Sequence, residues 1–86
     1  MSRTLSSPLH SALHAFVAGK RKAAGLTQTV VAKRLGRHQS YVANVENGLR
    51  RIDVVELIEL ATAIGFDPVD AIVRLKEISY ADKQAH

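Results

Sequence analysis

Four glycines cut this chain into short helical segments. Gly25, Gly36, Gly48 and Gly65 each follow a stretch whose apolar residues recur three and four apart, and a residue able to turn left-handed commonly closes such a helix. Helices are therefore expected to end near residues 24, 35, 47 and 64. The starts agree: Ser7-Pro8 stands before the first, Thr27 before the second, Asp53 with Glu56 before the fourth, and Asp67-Pro68 with Asp70 before a fifth. No strand pattern competes, so the expected fold is all-α, a compact bundle of five short helices.

The apolar stripes give each helix a face. Helix one, about 8–24, carries Leu9, Leu13, Phe16, Val17 and Ala24 on one side, interrupted by Lys20, whose stem is placed to snorkel. Gly19 lies inside it at a cost of about 1 kcal/mol relative to Ala, unless another backbone packs there. Helix four, about 54–64, places Val54, Leu57, Ile58, Ala61 and Ile64 inward. Helix five, about 68–79, has too wide an apolar arc for one core contact: Val69 and Val73 satisfy the inward face and Ile72, Leu75 and Ile78 are left over. Such a flank must be covered or risk aggregation, and a second copy of the chain is the expected cover. The domain is expected to occupy residues 1–80, with 81–86 as a frayed tail.

At 86 residues the chain suits one helical core. It has no cysteine, which removes disulfides, thiolate metal sites and thiol nucleophiles and fits a reducing cytoplasm. Its apolar runs fall far short of the ~20 residues of a membrane helix. The start, with Ser2, Arg3, Ser6 and Ser7, is read as folded protein and not as a targeting segment. Charge is more informative. Through Arg51 there are nine basic residues and one acid, Glu46; beyond it, three basic residues face seven acids. A basic half suits a polyanion, since each phosphate neutralised releases counterions, whereas the acidic half is repelled from the same surface.

The segment from Gly25 to Gly48 reads GLTQTVVAKRLGRHQSYVANVENG. A short helix over 28–35 turns through Gly36, Arg37 and His38 into a second over 39–47. Ala32 marks a crossing too close for a large side chain, and Val31, Leu35, Val42 and Val45 face the shared core. The outward side of the second helix is then Gln39, Ser40, Ala43, Asn44 and Asn47. Nothing long and apolar obstructs a groove there, and an Asn or Gln amide can donate to and accept from adenine together.

Leu26-Thr27-Gln28, Ala32, Leu35-Gly36, Gln39-Ser40-Tyr41-Val42, Glu46-Asn47-Gly48 and Arg51-Ile52-Asp53 together make this sequence similar to the Cro/cI-like repressors, the xenobiotic-response-element helix-turn-helix family, over roughly residues 10–75. The resemblance implies a lambda-repressor-like DNA-binding fold with its motif at 27–48, and a transcriptional regulator, a repressor that reads a palindromic operator in the major groove. Two reading helices of a homodimer would enter successive grooves about 34 Å apart. Residue by residue, it implies that Gln39, Ser40 and Asn44 approach base edges, that Tyr41 lies near the sugar-phosphate backbone, and that Gln28 and Asn47 grip phosphates. Arg50 and Arg51 fall where the family has basic phosphate contacts, and Arg21 with Glu46 where it has an ion pair between helix one and the end of helix three. Two positions depart from the pattern: His38 stands for the usual Ser or Thr cap and Arg37 for an apolar residue, and both are counted as backbone contacts.

Other features have plainer readings. His10 and His14, four apart, lack a third ligand and are read as surface histidines; no metal or cofactor is expected. Asp53/Glu56 and Asp67/Asp70 are helix caps, not paired catalytic carboxylates, and nothing else suggests an enzyme. The alternative function is an antitoxin-type module that binds a toxin or other protein and also its own promoter. The expected location is the cytoplasm of a prokaryote or phage host, on the nucleoid when bound.

Overall fold

The structure is a computed structural model that describes residues 7–84, with side chains through 81. Among them five α-helices follow in order: α1 (Pro8–Ala23), α2 (Gln28–Leu35), α3 (Gln39–Glu46), α4 (Val54–Ile64) and α5 (Pro68–Gln84). Residues 1–6, which include most of the Ser/Arg start, lie outside the described residues. None of the described helices is long and apolar enough to cross a membrane.

The helix starts use the side chains that the sequence offers. Ser7 accepts from the His10 amide at 3.1 Å and Thr27 from the Val30 amide at 3.1 Å, each satisfying a donor that the first turn leaves open. Asp53 and Glu56 cap reciprocally, each side chain accepting from the other's backbone N–H. Asp67 accepts from Val69 N–H at 2.9 Å. Between α2 and α3, Gly36 takes φ +70°, and the Arg37 amide donates back to Ala32 O at 2.9 Å, which turns the chain sharply enough to bring α3 across α2.

The core lies where the helices cross. Val17, Val31, Val42, Val45 and Leu60 are fully buried, and Ala32 at the α2–α3 crossing is nearly so. Burying an aliphatic side chain of this size stabilises by roughly 1.5–3 kcal/mol. Phe16 meets Phe66 edge to face at 5.6 Å, and Arg34 donates to Ala63 O at 2.8 Å, tying α2 to the end of α4. α1 runs along α5, closing the bundle.

Several faces are rotated from their expected setting. On α4 the buried apolar residues are Leu57, Leu60, Ala61, Ala63 and Ile64, whereas Val54 and Ile58 are exposed. Eight of the eleven α4 positions are apolar or alanine, more than one stripe can hold, and packing against α2 and α1 chooses which are buried. On α5 the side turned inward carries Ala71, fully buried, and Leu75, packed against the core, while Ile78 is half-buried beside a groove lined by Pro8 and Leu9. Val69, Ile72 and Val73 are exposed. The expected flank of Ile72, Leu75 and Ile78 is thus corrected: Leu75 and Ile78 lie on the helix face of buried Ala71 and turn toward the rest of the domain. Ile72 alone of the three is exposed. α5 also continues to Gln84, so residues 81–84, expected as tail, extend the last helix.

On α1, Leu13 and Val17 are buried while Leu9 and Ala24 are exposed, and Lys20 lies 5.4 Å from the Phe16 ring. Gly19 has open space around it, so no packing offsets its cost. His14 is no surface histidine: it is 5 % exposed and joined to half-buried His10, Nε2 to Nδ1, at 3.1 Å. Its ring fills the space beside Gly48, where a Cβ would come within 3.1 Å of Nδ1 and φ is +76°.

Candidate nucleic-acid interface

α3 is held by its buried side, Val42 and Val45, and presents Gln39, Ser40 and Asn44 to solvent. Its N-cap, His38, is exposed and makes no side-chain capping bond. The first turn of α3 therefore keeps backbone donors available for an anion. Asn47 ends the helix, its amide donating to Ala43 O at 2.9 Å, with its side chain at the surface.

A chain of hydrogen bonds runs beneath this surface. Arg21 donates through Nε and Nη2 to the two Glu46 oxygens at 2.6 and 2.9 Å, and through Nη1 to Leu26 O at 2.8 Å. The two side chains are 11 % and 6 % exposed. Burial alone would raise the Glu46 carboxyl, but bonds from Arg21 and Gln28 outweigh it and hold the group below its ordinary value. Arg21, bonded to that carboxylate, is raised in turn. Gln28 Nε2 donates to Glu46 Oε1 at 2.9 Å, and Gln39 Nε2 donates to Gln28 Oε1 at 2.6 Å. Gln39 at the surface is thereby tied to the buried ion pair.

A second cluster flanks the helix. Tyr41 is half-buried with the Arg37 guanidinium 4.3 Å and that of Arg50 4.9 Å from its ring centre, distances at which a cation is drawn to an aromatic face. Burial, with the Glu56 charge, pushes the Tyr41 hydroxyl up, partly opposed by a bond with Arg50. Arg50 is paired with Glu56. Arg37, His38, Ser40, Tyr41, Asn44 and Arg50 line one shallow depression of about 610 Å³, which brings together candidates for base and backbone contact. Arg51, exposed on the following loop, lies apart from that lining, as do Gln28, Gln39 and Asn47.

Two residues at or behind this surface escaped the sequence reading. Glu56 is 8 % exposed and does more than cap: one oxygen takes the Asp53 amide, the other Arg50. The six-residue separation across a loop gives no periodic signal. His14 had one, since His10, Leu13, His14 and Val17 follow the spacing of a buried stripe. Its ring lies against Gly48, just ahead of the basic loop.

An exposed amide-bearing helix, crossed and braced by a second helix and edged with arginines, is the arrangement of a helix-turn-helix DNA-binding domain. Residues 13–72 match the family model described as a helix-turn-helix domain. The chain is 35 % identical over 63 residues to the HTH-type transcriptional regulator y4dJ of Sinorhizobium fredii, covering 73 % of this chain and 82 % of that one. Among solved structures it is similar to an XRE-family like protein from Pseudomonas syringae pv. tomato, at 39 % identity and a TM-score of 0.80, covering 87 % of this chain and 92 % of that one. It is also similar to the restriction-modification controller protein C.AhdI from Aeromonas hydrophila, at 32 % identity and TM-score 0.66, covering 72 % and 94 %. The chain belongs to the helix-turn-helix domain family, as a DNA-binding transcriptional regulator of the XRE/Cro-like type.

Proposed function

We propose that the chain is a sequence-specific repressor that binds a palindromic operator in the cytoplasm as a homodimer, reading bases with Gln39, Ser40 and Asn44. The observation that carries this is the α3 surface: three short polar side chains stand exposed on a helix whose first turn is uncapped, with Arg37 and Arg50 on Tyr41 beside them. Gln28, Arg37, His38, Tyr41, Asn47, Arg50 and Arg51 contact the backbone on this reading, which fits the basic half of the chain. Arg50 reaches phosphate while paired to Glu56, so its position is set before DNA arrives.

Dimerisation uses the exposed apolar residues of α5, with Ile72 at the centre and Val69 and Val73 beside it. A two-fold contact there covers them and sets two reading helices on symmetric half-sites. Selection of bound duplexes from random DNA tests the proposal. The expected product is a two-fold symmetric site with half-sites one helical turn apart; enrichment of no sequence, or of a lone half-site by a monomer, would overturn it.

A further inference from the structure

We propose that Glu46, buried at the C-terminal end of the reading helix, is a specificity determinant: through Gln28 it fixes which groups Gln39 can offer a base, and so selects adenine over guanine. The proposal rests on Gln39 reading a base, as assigned above.

An ionised carboxylate only accepts hydrogen bonds, and a primary amide has one accepting end and one donating end. Glu46 is fixed in place by Arg21, whose three guanidinium nitrogens each donate to Glu46 or to Leu26 O. Facing that carboxylate, Gln28 must turn its Nε2 toward Glu46 Oε1, 2.9 Å away. Its Oε1 is thereby directed at Gln39, and because a carbonyl only accepts, Gln39 must turn its own Nε2 toward it, at 2.6 Å. Each amide in the row inherits its direction from the acid.

The consequence appears at the exposed end. One Nε2 hydrogen of Gln39 is taken by Gln28, leaving one N–H and the Oε1 acceptor free. In the major groove adenine offers a donor at N6 beside an acceptor at N7, which matches that remaining pair; guanine offers two acceptors, O6 and N7, and needs two donors. A row of opposite direction would accept at Gln39 Oε1 and leave both N–H groups free, which suits guanine. The charge of a residue that cannot touch DNA thus sets a base preference at the surface. Its low ionisation range supports the premise that Glu46 is a carboxylate under working conditions.

The test measures adenine-over-guanine discrimination at the base pair where Gln39→Ala erases preference. In the intact protein that discrimination should be roughly 5- to 150-fold, the range of a good bidentate contact. Gln28→Met deletes the row but leaves the ion pair, frees the Gln39 amide to turn either way, and should lower the discrimination below that of the intact protein. Gln28→Glu combined with Glu46→Gln keeps net charge and again sets an acceptor-only group against Gln39, and should restore adenine preference although total affinity falls. Loss of affinity for all sites alike in Gln28→Met, with discrimination intact, would show Gln28 to be a phosphate contact only and overturn the relay while leaving base reading by Gln39 in place. A Gln39→Ala profile unchanged at every position would remove base reading by Gln39, and the relay with it. Independently of DNA, NMR couplings across the hydrogen bonds should run from Gln39 Nε2 to the Gln28 carbonyl and from Gln28 Nε2 to the Glu46 carboxylate; the opposite direction at Gln39 contradicts the proposal.

Discussion

Glu46→Ala should be among the most damaging single substitutions in this domain. Three hydrogen bonds end on its carboxylate, two from Arg21 and one from Gln28, and removing it strands a guanidinium whose side chain is 11 % exposed. Breaking one partner of a buried pair costs about 3–5 kcal/mol. Arg21 keeps its bond to Leu26 O and some access to water, which favours the lower end, about 3 kcal/mol. A domain of this length has roughly 4–13 kcal/mol in total, so the loss is a large share of it and should lower Tm by roughly 12–24 °C. Urea unfolding followed by circular dichroism measures it, with an unchanged m-value showing that the same structure unfolds. Acid adds a check. Glu46 is held below its ordinary value of 4.5 in the folded state, so its stabilisation is present above that pH and lost as pH falls through the folded value. The gap between the native protein and Glu46→Ala should therefore narrow below about pH 4.5. A variant within about 1 kcal/mol of the native protein, or a gap independent of pH, would mean that the Arg21–Glu46 pair does not stabilise the fold in this way.

His14 is buried and its ionisation lowered, first by burial and then by the neighbouring His10, so the fold favours its neutral form. Stability from this group is complete above about 6.5 and falls as pH drops below it; the urea midpoint should decline between pH 7 and pH 5, and His14→Gln should flatten that decline. Gly19→Ala should raise stability by about 0.5–1 kcal/mol in the same assay, since the added methyl meets nothing. Leu75→Asp should unfold the domain, whereas Ile72→Lys should leave circular dichroism unchanged and shift sedimentation toward monomer; a dimer indifferent to Ile72→Lys moves the interface elsewhere.

The helix boundaries were legible because local chemistry sets them. Ser7, Thr27 and Asp53 cap the first turns of α1, α2 and α4, and Gly36 and Gly65 close α2 and α4. The reading face was legible too, since Val42 and Val45 fix the buried side of α3 and Gln39, Ser40 and Asn44 follow by geometry. Which side of α4 and α5 turns inward was not, because Val54, Ile58, Val69 and Ile72 are as apolar as the residues that were buried. The buried sides also carry Ala61 and Ala71, and small residues carry little weight in an apolar pattern. The Arg50–Glu56 pair and the amide row from Glu46 to Gln39 join residues across loops and between helices. No period of the sequence marks such contacts.

Base reading by the exposed side of α3 can be probed at Asn44, which is exposed and belongs to neither the ion pair nor the amide row. Affinities of the native protein and Asn44→Ala should be measured on every single-base variant of the selected operator at one salt concentration. Asn44→Ala should lose about 1–3 kcal/mol on the preferred site, and base preference should relax at one pair of symmetric positions while all others keep theirs. A uniform loss across the set, with every preference intact, would contradict it.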